Sequence, residues 1–268
     1  MDPLKNILPA AIRPENTEDS LKAKTCEKCG AKIEPMELNL ITRTIQRYPP
    51  CQCELEEERR AEEARQRREE AARIERIFKN SGLGTRHRDC TLESFRKLPG
   101  TEAAYQVAKD YAANLAENIR AGRGFLLFGP PGNGKTHLAA AITGAAIAEG
   151  WSTVFERVPR LLLKIRSTYN ADSRIAEDEI MQALTQADLL VLDDAGAEKW
   201  TQWTEPTLYT IIDERYSYCK PLIITTNSTL EELEAKIGDR AMDRVLEMCE
   251  IVENRGKSYR KMIAEGKQ

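Results

Sequence analysis

The sequence predicts an α/β fold built on a parallel sheet, and three stretches carry the prediction. The apolar run Phe125-Leu126-Leu127-Phe128 leads into Gly129-Pro130-Pro131-Gly132-Asn133-Gly134-Lys135-Thr136, which opens a helix of small residues. A second run, Ala187 to Leu192, ends on Asp193-Asp194, and a third, Pro221 to Thr226, ends on Asn227. Short runs apolar on both faces suit central strands covered by helices on both sides. Polar residues leaving such strands emerge at the carboxyl edge of the sheet, where open α/β folds bind ligands.

Five strands are expected, near 124–128, 152–156, 188–193, 221–226 and, weakly, 250–253. The first ends in GxxxxGK[ST] with every required position filled, the form of a phosphate-binding loop. Its glycines let backbone N–H groups close around phosphate oxygens. Lys135 supplies charge for the outer phosphates, and Thr136 offers a hydroxyl to Mg2+. The helix that follows points its positive end at the anion. The bland alternative, a Gly-Pro turn between strand and helix, leaves the downstream acids without a role. Asp193 is read as the Mg2+ side and Asp194 as the base that orients an attacking water. Asn227 is read as a contact to the outermost phosphate or its water. Thr229-Leu230-Glu231-Glu232 is itself a capping box, so Asn227 is not needed as a helix cap.

The chain of 268 residues has room for one full α/β domain and a small appendage. Charged residues make up 31% of it and the net charge is −3, so there is no global attraction to nucleic acid or anionic membrane. No stretch is apolar enough for a transmembrane helix, and Met1-Asp2-Pro3-Leu4-Lys5 lacks a secretory pattern, so a cytoplasmic protein is expected.

Four of seven cysteines cluster as Cys26-x-x-Cys29 and Cys51-x-Cys53. Paired thiolates with a relaxed turn at Gly30 have the form of a four-cysteine Zn2+ site, although the second pair is one residue tighter than the common spacing. Free thiols or a redox switch are the alternatives. Between the pairs, Ile33, Leu38, Leu40 and Ile41 alternate enough for a small hairpin whose folding would depend on metal. Residues 54–79 read as a charged helix without Gly or Pro, a solvated spacer or a partner-binding helix, ended by Ser81-Gly82-Leu83-Gly84. The expected organisation is a disordered or partner-binding tail over 1–20, a zinc-binding module over 21–55, a helical linker over 56–84, and the nucleotide domain over 85–268.

Together these motifs resemble the DnaC/DnaI-type helicase loaders, relatives of the transposase helper ATPase IstB, within the AAA+ class. The resemblance covers roughly residues 86 to 263. It rests also on Cys90 to Phe95, similar to a segment that encloses adenine, and on Leu192 to Lys199, Trp203 and Ile211 to Tyr216. Ile237 to Arg244 looks like an arginine-bearing box and Ser258-Tyr259-Arg260 like the family's last motif. The cysteine-rich start resembles the DnaI branch and phage-borne loaders more than the DnaC branch.

The resemblance implies a P-loop AAA+ core and supplies its strand order. It implies ATP as substrate, Arg244 as an arginine finger acting on a neighbouring subunit, Arg240 as second choice, and Arg260 as a nucleotide contact in cis. Helix-surface ion pairs of Arg240 and Arg244 with Asp239 and Asp243 are the alternative. Asp194 stands where many AAA+ proteins carry Glu, so slow, switch-like hydrolysis is expected. The chain stops soon after Arg260, so the usual helical lid is expected to be reduced or absent.

The resemblance also locates single-stranded DNA contacts near the basic stretch Arg157, Arg160, Lys164, Arg166 and Tyr169, with Lys164, Arg166 and Tyr169 as candidates. Leu161, Leu162 and Ile165 give the same helix a core face, so a merely solvated basic face is the alternative. The implied function is delivery of a replicative DNA helicase to single-stranded DNA, with ATP as the switch. A transposition helper ATPase and a zinc-dependent adaptor that binds ATP without turnover are the competing readings. A small-molecule P-loop kinase would leave the arginine box and Asn227 without a role.

Overall fold

The computed structural model describes residues 22–40, 43–78, 83–169, 176–197, 201 and 203–266. The expected tail at 1–20 and the Ser81-Gly82 break lie outside the described residues. The chain divides into two units after Gln66.

In the first unit β1 (Lys24–Thr25) pairs antiparallel with β2 (Lys32–Ile33), and β3 (Met36–Leu40) with β4 (Arg43–Arg47). The hairpin sets Leu38 opposite Ile45, in keeping with the alternation of the sequence. The buried centre is Cys26, Ile33 and Cys51, with Tyr48 and Cys53 packed against it. Apolar burial on this scale cannot hold two-residue strands together.

Helix α1 (Gln52–Phe78) begins in this unit and ends in the second. Its Cys51 neighbour donates its N–H to Glu54 Oε2 at 3.0 Å, which ties the helix start to the cysteine turn. Exposed Glu–Arg pairs one turn apart, such as Arg65–Glu62, support its middle by a few tenths of a kcal/mol each. The reading of this helix as solvated throughout is corrected at its end. Ile74, Ile77 and Phe78, spaced i, i+3 and i+4, are buried in the core of the second unit. That unit therefore reaches back to Arg67 rather than starting at 85.

The second unit runs α2 (Glu102–Ala113), α3 (Leu115–Arg120), β5 (Gly124–Phe128), α4 (Lys135–Ala148), β6 (Thr153–Arg157), α5 (Val158–Ser167) and α6 (Glu177–Gln186). It continues with β7 (Leu189–Ala195), α7 (Thr204–Ser217), β8 (Leu222–Thr226), α8 (Leu230–Ile237), α9 (Asp239–Met248), β9 (Cys249–Glu253) and α10 (Tyr259–Ala264). The five strands form one parallel sheet in the order β6-β7-β8-β5-β9. Strand alternation sends Leu126, Leu190 and Leu192 to one core and Phe125, Leu127, Leu189 and Val191 to the other. Both faces are covered, the condition a parallel sheet requires.

Two devices fix the frame. Thr229 and Glu232 form the expected reciprocal capping box at the start of α8. Arg215 is wholly buried in α7 and donates to the carbonyls of Leu184 (2.7 Å), Ala187 (2.9 Å) and Pro221 (2.6 Å). One guanidinium thus binds the end of α6 to the starts of β7 and β8, holding the two central strands whose far ends carry the acids and Asn227. Among the described residues no helix is long and apolar enough to cross a membrane.

Candidate functional site

β5 ends at Phe128 and the loop 129–134 delivers Lys135 and Thr136 at the head of α4. At Gly134 the backbone takes φ +94°, and a β-carbon there would overlap the ring of Phe95, so only glycine fits. Lys135 is buried, and its ammonium donates to Gly129 O (2.7 Å), Pro130 O (2.8 Å) and Asn133 Oδ1 (3.2 Å). Burial pulls its pKa down to about 8, against the opposing pull of Asp194 and Asp193.

Asp193 is almost fully buried. Its Oδ1 accepts from Thr136 Oγ1 (2.8 Å) and Thr225 Oγ1 (2.7 Å), and its Oδ2 lies 3.5 Å from Arg157 Nε. Consecutive residues on a regular strand point to opposite faces, yet Asp193 and Asp194 both line one cavity. The reason is a bulge. Leu192 pairs with Ile224 and Ala195 with Thr226, so β7 carries one extra residue, and Asp194 adopts φ +58°. Asp194 N donates to Thr225 Oγ1 at 3.0 Å, and Asn227 Nδ2 donates to Asp194 Oδ1 at 2.7 Å.

The cavity is about 410 Å³, within the range of small-molecule sites. The phosphate-loop residues from Pro131 to Thr136, Asp193, Asp194, Asn227 and Arg260 all line it. So do Cys90, Ser94, Phe95 and His137. Phe95 stacks on Tyr105 and meets His137 edge-on. His137 Nε2 faces Thr91 O at 2.8 Å, an acceptor only, so that nitrogen carries the proton and donates.

Sequence reasoning did not assign His87, Arg86, Arg96 or Thr225 to this lining, and it took Arg157 for part of the basic stretch. Burial, then Arg157, holds the His87 pKa below its ordinary value. Thr225 had a visible signal, one of two hydroxyls that close the apolar run Leu222-Ile223-Ile224; the others sit on loops or strand ends with no local pattern.

Arg244 lies outside this cavity lining. It forms an ion pair with Asp213, donates to Arg240 O (2.9 Å) and Tyr209 Oη (3.2 Å), and rests over the rings of Tyr209 and Tyr216. Its acidic partner is on α7, not Asp239 or Asp243 of its own helix.

Of the three DNA candidates, Lys164 is turned into the fold. It donates to Ile77 O at 2.6 Å above the Phe78 ring, beside buried Glu156, whose pKa burial raises to about 7. Arg166 and Tyr169 are exposed. Tyr169 Oη accepts from Trp203 Nε1 (3.1 Å) and donates to Glu177 Oε1 (3.0 Å).

The four cysteines converge in the first unit. All four sulfurs lie within 4.8 Å of one another, with Cys26–Cys53 at 3.5 Å and Cys29–Cys51 at 3.3 Å. A tetrahedral ion with Zn–S bonds of about 2.3 Å would set its ligands about 3.8 Å apart, so the cluster fits Zn2+ closely. Backbone N–H groups of Cys29 and Lys28 pull the Cys26 thiol down to about 7, while the hydrogen bond to Cys26, then burial, push the Cys53 thiol up, the pattern of one thiolate shared among neighbouring thiols.

A parallel sheet with a phosphate loop, a bulged acid pair and a polar strand end defines the class: a P-loop ATPase core of the AAA+ type. A family model for the IstB-like ATP binding protein matches residues 57–265, and the chain belongs to that family. It is 31% identical over 183 residues to the replicative helicase loader DnaC of Escherichia coli (strain K12), covering 68% of this chain and 73% of that one. The crystal structure of the DnaC helicase loader superposes with a TM-score of 0.58 at 25% identity, over 64% of this chain and 100% of that one. AMPPCP-bound DnaA from Aquifex aeolicus shares the fold, with a TM-score of 0.54 at 24% identity over 69% of this chain and 55% of that one.

Proposed function

We propose that this chain is an ATP-switched loader that binds a replicative DNA helicase and delivers it to single-stranded DNA. The observation that carries the reading is the complete nucleotide constellation, from Lys135 and Thr136 to Asp193, Asp194 and Asn227, in a chain this similar to DnaC. Lys135 exchanges its three loop oxygens for the outer phosphates. Mg2+, held by Thr136 and Asp193, would supply charge neutralisation between those phosphates. Asp194 accepts a proton from the attacking water, and Asn227 holds that carboxylate in line. Arg260 contacts nucleotide in cis. Arg244 reaches a neighbouring subunit's nucleotide, so self-association completes the charge stabilisation and hydrolysis reports assembly. The cysteine module, folded by Zn2+, contributes the grip on the helicase, while Arg166 and Tyr169, with Lys164 behind them, meet the strand.

Recharging of Lys135 has a measurable consequence. Phosphate raises the amine's pKa, so between roughly pH 8 and 9 nucleotide binding takes up a proton and affinity falls as pH rises. At about pH 8.5 the calorimetric binding enthalpy is expected to vary with the buffer's ionisation heat, and at pH 7 to vary little. Buffer-independent enthalpies at the higher pH would refute this.

The function is tested by light scattering on the protein mixed with the replicative helicase of its host, with ATP and with ADP. A complex whose stability depends on the nucleotide supports the loader. No complex in either state, with DNA-stimulated ATPase activity intact, favours a transposition helper; ATP binding without turnover favours the zinc-dependent adaptor.

A further inference from the structure

Asn254 follows β9 and has no counterpart among the motifs of the sequence. It is fully buried and touches the phosphate loop at both ends. Its N–H donates to Phe128 O at 2.8 Å, where the loop begins. Its carbonyl accepts from Asn133 Nδ2 at 2.6 Å, and its own Nδ2 donates to Asn133 O at 3.2 Å, on the loop's far limb. Asn133 is itself 2% exposed. At Gly129, with φ +133°, a β-carbon would overlap the Asn254 carbonyl, so the two backbones meet as closely as glycine permits.

The reciprocal bonds also settle which way the Asn133 amide faces. With Nδ2 committed to a carbonyl, Oδ1 is left to accept from the Lys135 ammonium at 3.2 Å. The same connection ties the loop to the segment bearing Arg260. Gly256 N donates to Asn254 Oδ1 (3.3 Å), and Tyr259 N donates to Gly132 O (2.9 Å). Asn254 is therefore a strut across the loop, fixing its width, the direction of Asn133 and its distance from α10.

We propose that Asn254 is a positioning residue for polyphosphate binding, acting through Asn133 to hold the loop in its phosphate-accepting shape before nucleotide arrives. The inference rests on the ATP-binding reading above. A preformed loop lowers the ordering cost of each phosphate contact, so loss of the side-chain half of the strut, the bonds to Asn133 O and Gly256 N that a substitution removes, weakens ligands according to the phosphates they place in the loop.

The test is calorimetric titration of the full chain and its Asn254→Ala and Asn254→Asp variants with ATP, ADP and AMP. Alanine removes the donor to Asn133 and the acceptor for Gly256 together. Aspartate keeps size and the Gly256 acceptor but turns an oxygen toward the Asn133 carbonyl. In both, ADP and ATP affinity is expected to fall by at least about tenfold, and AMP affinity much less. A merely structural role would weaken all three ligands alike or lower the melting temperature with their relative affinities unchanged, and either result overturns the proposal. Wild-type affinity for ADP in both variants also overturns it. Should the alanine variant fail to fold, the near-isosteric aspartate decides. A wild-type chain that binds no nucleotide at all refutes the ATP-binding reading itself.

Discussion

Replacing Asp194 with Asn is expected to slow ATP turnover by about 10²–10³-fold while leaving ATP affinity within a few-fold of the wild type. The two acids of β7 have different surroundings. Asp193 is buried and saturated by Thr136, Thr225 and Arg157, a set that holds a charge still. Asp194 is less buried, lines the cavity, and among the described residues its carboxylate accepts from Asn227 through one oxygen. An amide at 194 has the same size and no proton affinity. Phosphate release under single-turnover conditions, beside equilibrium titration with a fluorescent ATP analogue, separates the chemical step from binding. Asp193→Asn should do the opposite and weaken Mg2+-dependent affinity first. Unchanged turnover in Asp194→Asn would remove Asp194 from the chemistry.

Chelation of the metal is expected to unfold the first unit and leave the second intact. Among its described residues the cysteine unit has three buried at its centre, Cys26, Ile33 and Cys51, and strands two to five residues long. Structural Zn2+ contributes on the order of 10 kcal/mol to such modules, far more than their apolar burial. One equivalent of zinc should be released by a thiol-reactive reagent. Amide signals from residues 24–51 should then collapse toward random-coil positions while those of the parallel sheet stay put. Cys51→Ser should reproduce the effect, since Cys51 is both a candidate ligand and the residue from which α1 starts. Purified protein without metal, whose amide spectrum ignores chelator, would count against a zinc module.

Much of the ATPase fold was legible because its signals are local. Apolar runs ending in Asp193-Asp194 and Asn227 mark strands and their polar ends together, and each observed strand lies within two residues of its expected bounds. The capping box at Thr229 was readable for the same reason. What could not be read depends on pairing between distant segments. The bulge at Asp193-Asp194 exists only relative to β8, and Asn254 gains its meaning only when β9 lies beside β5. Lys164 looked like a free cation in a basic stretch because the Ile77 carbonyl it binds is far away in sequence. The buried end of α1 hid behind the heavy charge of the preceding turns, although Ile74, Ile77 and Phe78 keep helical spacing.

The bulged strand has one more consequence, for the kind of acid this site can hold. A residue at φ +58° lies in the left-handed region, which costs most L side chains about 1–2 kcal/mol and is adopted, glycine aside, most readily by Asp and Asn. The carboxylate here is one methylene shorter than a Glu would supply, and the left-handed backbone at 194 suits the shorter acid. Substituting Glu would lengthen the reach and strain the chain in one stroke. The choice of acid at this position is thus tied to the shape of the main chain as well as to the reach of the side chain.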